Sequence, residues 1–205
     1  MALYALLDFD TLKKYDISIK DFCKTAKALK AKILQYRDKN SSLEEKRERI
    51  KEIRKYWKKP LIVNDEIKLL EFADGIHIGQ EDLKELSNKM NLSKKEVIEF
   101  LRKDNKIVGL STHNKEEIKE ANTFPLSYIG LGAYRPTSTK ETSNILGEKI
   151  IDLIKFSYHP VAVIGGVKIY DKIPSKFKVI GSDICKLTSS QLRKKRIFKK
   201  KSTNL

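Results

Sequence analysis

Ile33-Leu34-Gln35-Tyr36-Arg37-Asp38-Lys39, with its followers to Glu45, decides how the rest of the chain is read. Side chains on a strand alternate between faces. Gln35, Arg37 and Lys39 therefore share one side, and that side carries an amide and two cations where a core would carry aliphatics. A face of that kind binds something anionic. The pattern recurs downstream: Leu61-Ile62-Val63 runs into Asn64-Asp65, and Gly75-Ile76-His77-Ile78-Gly79 runs into Gln80-Glu81-Asp82. Apolar runs that end in polar groups place those groups at the C-terminal ends of strands, where α/β proteins build their sites.

Working outward, strand-like runs extend over Leu3 to Asp8, Lys32 to Arg37, Pro60 to Asn64, Gly75 to Ile78, Lys106 to Ser111, Tyr128 to Gly132, Val161 to Ile164 and Lys178 to Gly181. Between them, apolar spacing predicts helices over Ser18 to Ala31, Leu43 to Trp57, Ser93 to Lys103, Asn114 to Ala121 and Asn144 to Phe156. Ser18 with Asp21 and Ser93 with Glu96 fit a helix start. Strands separated by helices pair in parallel, and eight such units predict a single-domain α/β (β/α)8 TIM barrel, compact at this length. A doubly wound α/β sheet is the runner-up, because the helix after the third strand is short and only Ile169 to Phe177 joins the last two strands.

The chain's 205 residues and 40% hydrophobic content fit one substantial core. No apolar stretch approaches the roughly 20 residues of a membrane span, and Met1-Ala2-Leu3-Tyr4-Ala5-Leu6-Leu7 meets Asp8 too soon for a signal peptide, so a cytoplasmic protein is expected. Cys23 and Cys185 lie far apart and the three histidines are scattered. Neither a disulfide framework nor zinc is suggested, and both cysteines are expected in the core. The formal charge of +16 is partly a tail, since Arg193-Lys194-Lys195-Arg196-Ile197-Phe198-Lys199-Lys200-Lys201 holds seven cations. Residues 1–192 are read as the barrel and 193–205 as a basic mobile extension, without the apolar periodicity to pack a final helix. No base-stacking platform accompanies the charge, which leaves nucleic-acid binding as the lesser reading.

In a barrel, all strand ends meet at one mouth. Strand two would supply Gln35, Arg37 and Lys39; strand three Asn64 and Asp65; the loop after strand four Asp82; strand five Ser111, Thr112 and His113; the loop after strand six Thr137, Thr139 and Lys140. Ile164-Gly165-Gly166 and Ile180-Gly181-Ser182 close strands seven and eight, where bare backbone N–H groups can approach a phosphate. Two carboxylates, Asp65 and Asp82, among cations at an anion site make sense if Mg2+ joins them to phosphate oxygens. His77, between isoleucines, reads as structural. Ser111 and His113 lack a third partner or a nucleophile elbow for covalent catalysis, and neither histidine is assigned as a general base.

Gln35-x-Arg37-x-Lys39, Asn64-Asp65, Ala73 to Asp82, Gly109-Leu110-Ser111-Thr112-His113, Tyr128 to Gly132, Thr137-x-Thr139-Lys140 and Ile164-Gly165-Gly166-Val167 resemble, in order and spacing, the thiamine-phosphate synthases, over about Tyr4 to Ile184. The resemblance implies a transferase barrel of thiamine biosynthesis. Such a barrel joins 4-amino-2-methyl-5-hydroxymethylpyrimidine diphosphate to thiazole phosphate, or its carboxylated form, and releases diphosphate by a dissociative, Mg2+-assisted substitution. It also implies that Gln35, Tyr36, Arg37, Asp38, Lys39, Asn64, Ser111 and Lys140 bind the pyrimidine diphosphate, with Arg37, Lys39, Ser111 and Lys140 catalytic. Asp65 and Asp82 would bind the metal, and Thr137, Ser138, Thr139, Gly166, Gly181 and Ser182 the thiazole phosphate. Small-molecule substrates are then the expected partners, with no membrane. A thiazole tautomerase-like barrel is the alternative; that family typically lacks the Asn-Asp and Gln-Glu-Asp elements present here. Two departures fall on the thiazole side: Gly132-Ala133-Tyr134-Arg135-Pro136 adds a cation, and Val167 to Val179 is short.

Overall fold

The computed structural model describes residues 1–136 and 145–202, with side chains as far as residue 194. Eight parallel strands close on themselves in chain order: β1 (Ala2–Asp8), β2 (Ile33–Arg37), β3 (Leu61–Asn64), β4 (Gly75–Ile78), β5 (Ile107–Thr112), β6 (Tyr128–Leu131), β7 (Val161–Val163) and β8 (Phe177–Ile180), with β8 returning to β1. The barrel expectation holds and the doubly wound sheet does not.

Strand parity sorts the apolar residues into two cores. Tyr4, Leu6, Ile33, Ile62, Tyr128, Ala162 and Val179 fill the barrel interior. Their strand neighbours Ala5, Leu7, Leu34, Leu61 and Val63 face outward and pack against the helices. The helices are α1 (Phe9–Lys14), α2 (Ile19–Ala28), α3 (Leu43–Tyr56), α4 (Gln80–Met90), α5 (Lys94–Leu101), α6 (Lys115–Ala121), α7 (Lys149–Ile154) and α8 (Ser182–Ser202). Phe22 of α2 and Ile50 and Ile53 of α3 belong to that outer core, with Trp57 just beyond α3. Side-chain caps explain several boundaries: Ser18 accepts from the Asp21 amide, and Ser42 and Ser93 close full capping boxes with Glu45 and Glu96.

Four helices differ from the sequence reading, one of them α7, expected over Asn144 to Phe156 and confined among the described residues to Lys149–Ile154. Residues 80–82, read as a loop, open α4, whose N-cap Gly79 has no side chain to announce it. Six-residue α1 is too short to show a period. The last helix carries the backbone through the cationic run to Ser202, because lysine and arginine are good helix formers even without an apolar stripe. Cys23 and Cys185 are free and buried, and burial pushes both thiols up to about 12, as inert core residues. Among the described residues no helix is long and apolar enough to cross a membrane.

Candidate active site

The C-terminal mouth of the barrel encloses a cavity of about 260 Å3. Gln35, Arg37 and Lys39 line it from the β2 side, Asn64 and Asp65 from β3, Asp82 from α4, and Ser111 from β5. Gly165, Gly166, Gly181 and Ser182 line the opposite wall. Apart from Tyr36 and Asp38, the described residues of the expected site come together at this mouth. Thr137, Ser138, Thr139 and Lys140 lie outside the described residues.

Arg37 is held by a residue that the sequence reading missed. Its Nη1 lies 2.5 Å from Asp8 Oδ2, and only 13% of the Arg37 side chain and 5% of the Asp8 side chain are exposed. Asp8 closes β1 and also caps α1, accepting from the Thr11 amide and hydroxyl through Oδ1. One carboxylate thus fixes both the helix start and the guanidinium. The signal was present, since Asp8 ends a strand as Asn64 does, but its partner is 29 positions away.

Tyr36 and Asp38, grouped with the pyrimidine-diphosphate residues by sequence, do not reach the cavity. Tyr36 has the opposite strand parity to Gln35 and Arg37 and points into the outer core. Its hydroxyl donates to Asp38 Oδ2 at 2.8 Å, and Arg49 Nη1 of α3 donates to the same oxygen at 2.5 Å. Burial alone would raise the Asp38 carboxyl, but the hydrogen bonds from Tyr36, Ser41 and Arg49 together hold it below its usual range. The pair fastens the loop after β2 to α3.

Asp65 and Asp82 face each other across Gly79. Asp65 Oδ1 accepts from the Gly79 amide at 3.1 Å, and a Cβ on Gly79 would come within 2.5 Å of Asp82 Oδ2. A side chain at Gly79 would displace the Asp82 carboxylate from this position. Asp65 sits in the left-handed region at φ 59°, which short polar residues tolerate. Burial, followed by the charge of Asp82, pushes Asp65 up to about 6, against the opposing pull of the Gly79 amide, Lys39 and Arg37. Two facing carboxylates whose charges oppose one another form an all-oxygen donor set suited to a hard divalent cation. Asp82 lies in the first turn of α4, where the helix dipole favours its charge.

Arg135, the added cation, is committed elsewhere. It holds Asp171 through two nitrogens at 2.5 and 3.1 Å and reaches the Gly166 carbonyl at 3.3 Å, so it braces the Gly165-Gly166 turn. On β5, Ser111 Oγ lies 2.9 Å from His77 Nε2, while His113 Nδ1 lies 2.9 Å from Glu117 Oε2. The serine's histidine is therefore His77, which lines the cavity, and not its sequence neighbour His113.

A family model described as thiamine monophosphate synthase matches residues 10–174. The thiamine-phosphate synthase of Persephonella marina is 37% identical over 173 residues, covering 82% of this chain and 77% of that protein. That of Dictyoglomus turgidum is 39% identical over 179 residues, with 81% and 76% covered. Among solved structures, a thiamine phosphate pyrophosphorylase from Pyrococcus furiosus superposes with a TM-score of 0.67 at 24% identity over 94% of each chain, a likeness of fold.

Proposed function

The chain belongs to the thiamine monophosphate synthase family, and we propose on that premise that its mouth joins 4-amino-2-methyl-5-hydroxymethylpyrimidine diphosphate to thiazole phosphate, releasing diphosphate. The observation that carries this reading is the placement of Arg37, Lys39, Asp65 and Asp82 around one cavity at the strand ends.

Departure of diphosphate from the pyrimidine methylene puts charge on the leaving group. Arg37, held rigid by Asp8, and Lys39 sit where that charge develops, and preorganised cations stabilise it without further rearrangement. Asp65 and Asp82 would hold Mg2+, which would neutralise diphosphate oxygens when bound. The electron-rich pyrimidine supports an electron-deficient methylene, so the substitution is dissociative and the thiazole nitrogen is the nucleophile. No side chain has to attack. The protein's task is to hold two substrates in line, an effect that can contribute several kcal/mol to the barrier. Gly166, Gly181 and Ser182 face the cavity, the last two at the start of α8, an arrangement that suits the thiazole phosphate. Thr137, Ser138, Thr139 and Lys140 are assigned to the same reaction from their motif, with Lys140 serving the leaving diphosphate.

Calorimetric titration tests the arrangement. The pyrimidine diphosphate should bind in the presence of Mg2+, and binding should weaken at least tenfold with chelator or in Asp82→Asn. Equal affinity under all three conditions would remove the two carboxylates from the site. A tautomerase acting on thiazole phosphate alone would have no use for Asn64, Asp65 and Asp82 at the mouth, and that reading is not favoured. Residues 1–192 act as the catalytic body in this account, and the basic residues 193–205 are an appendage to it.

A further inference from the structure

From the cavity wall a chain of polar groups runs into the barrel interior, and three of its links, Tyr4, Tyr128 and His77, have no part in the reaction as described. Asn64 Nδ2 donates to Asp65 Oδ2, and Gln35 Nε2 donates to Asn64 Oδ1 at 2.6 Å. Tyr4 donates to Gln35 Oε1 at 2.9 Å, and the Tyr4 and Tyr128 hydroxyls are 2.8 Å apart. Tyr128 lies 3.0 Å from His77 Nδ1, and His77 Nε2 lies 2.9 Å from Ser111 Oγ. Tyr4, Gln35, His77 and Tyr128 are all buried.

Each group has a fixed inventory of protons, so the direction of every bond follows from one end. The Gln35 amide spends its NH2 on Asn64 Oδ1 and so presents its oxygen to Tyr4. Gln35 Oε1 only accepts, so Tyr4 commits its single proton there, and the Tyr128 proton must go to Tyr4. Tyr128 oxygen then has only lone pairs for His77, which requires Nδ1–H. In a neutral imidazole Nε2 is then an acceptor, and Ser111 must donate to it. Burial pushes both phenols well up, so each keeps its proton.

The barrel is shaped around this chain. The His77 and Tyr128 rings stack with centroids 5.6 Å apart. A Cβ on Gly130 would lie 2.8 Å from His77 Cε1, and one on Gly109 would lie 2.2 Å from the Tyr128 ring. Two strand glycines thus clear the space that the stack occupies, at positions where a strand would otherwise favour a side chain.

We infer that Tyr4, Tyr128 and His77 are positioning residues that hold Ser111 with its proton turned to His77 and its lone pairs turned to the cavity, so that Ser111 accepts from the exocyclic amine of the bound pyrimidine. The inference rests on the proposed reaction for the identity of that ligand. Ser111 on β5 lines the same cavity as Arg37 and Lys39, three strands around the barrel from β2, so a substrate whose diphosphate lies at those cations can present its ring to Ser111. An analogue carrying oxygen in place of the amine presents lone pairs to lone pairs, and it is rejected for that reason.

The first test is 15N NMR of the full chain labelled at histidine, whose three resonances are assigned with His113→Gln and His159→Gln. The resting protein near neutral pH should show His77 protonated at Nδ1 and bare at Nε2. An Nε2–H tautomer or an imidazolium would overturn the relay, whether or not the protein makes product. Tyr128→Phe removes the acceptor, so it should abolish the Nδ1–H preference and lower kcat about three- to tenfold while leaving KM for thiazole phosphate unchanged. The second test is calorimetric binding of the 4-amino pyrimidine diphosphate against its 4-oxo analogue. A preference of at least tenfold in the wild type that shrinks in Ser111→Ala supports the assignment, and equal affinities in the wild type, or a preference unchanged in Ser111→Ala, overturn it.

Discussion

Replacing Asp65 with asparagine should stabilise the metal-free protein while removing most of its activity. Burial and the neighbouring Asp82 charge push the Asp65 carboxyl up to about 6, from an ordinary value of 3.8. That rise of about two units corresponds to about 3 kcal/mol at ~1.36 kcal/mol per unit. The sign follows from proton affinity. The folded chain holds this proton more tightly than the unfolded chain, so the contribution is favourable and complete below about pH 4. It is lost as pH rises through 6, and at neutral pH the charged group opposes folding. Asparagine carries no charge, keeps an acceptor for the Gly79 amide and suits the left-handed backbone at this position. It also turns a donor toward Asn64 or Gly79, which costs about 1 kcal/mol. The net gain is then about 2 kcal/mol, or a Tm increase of about 4–8 °C for a chain of this size. Thermal melts of both proteins in chelator, from about pH 4.5 to 8.5, measure it directly. The gain should be largest at the alkaline end and should shrink toward pH 4.5. Equal or lower stability of Asp65→Asn near pH 8, or a gain independent of pH, would refute the reasoning. Turnover should fall most of the way to background in the same variant, because an amide is a poor ligand for a hard cation.

Asp8→Asn should raise KM for the pyrimidine diphosphate and destabilise the fold by about 2–3 kcal/mol, since it leaves Arg37 without its carboxylate in a nearly closed environment; an unchanged Tm and KM would show that Asp8 does not position Arg37. Lys140→Ala should slow the chemical step by on the order of ten- to a thousand-fold, well beyond its effect on thiazole phosphate binding, and an unchanged single-turnover rate in the folded variant would take Lys140 out of the mechanism. Deleting residues 193–205 should leave kcat and KM close to those of the full chain, whereas a raised KM or a Tm lower by many degrees would show that the end of α8 docks on the barrel.

The barrel was legible because two signals coincide in its strands. Apolar runs of β length recur between helical segments, and the residues that fill the interior and the outer core alternate along them, as Tyr4 and Leu6 do with Ala5 and Leu7. The polar strand ends were legible for the same reason, as Gln35 and Arg37 share a parity that Tyr36 does not. Applied one residue further, that rule would have excluded Tyr36; its adjacency to the motif outweighed its direction. Other features depend on distant pairings that local patterns do not carry. Asp8 resembles any acidic strand end until Arg37 is beside it, and Tyr4 and Tyr128 resemble ordinary strand aromatics until their hydroxyls meet, 124 positions apart in sequence. His77 read as structural because isoleucines flank it, yet those neighbours face outward while the imidazole faces the cavity. The start of α4 was hidden because a glycine N-cap leaves no side-chain mark.

The decisive measurement is to incubate the purified chain with pyrimidine diphosphate, thiazole phosphate and Mg2+ and to follow both products by mass. Thiamine phosphate and diphosphate should form in equal amounts, with neither formed when one substrate or the metal ion is left out. Conversion of thiazole phosphate alone, or no condensation by a folded protein that still binds both substrates, would contradict the proposed reaction.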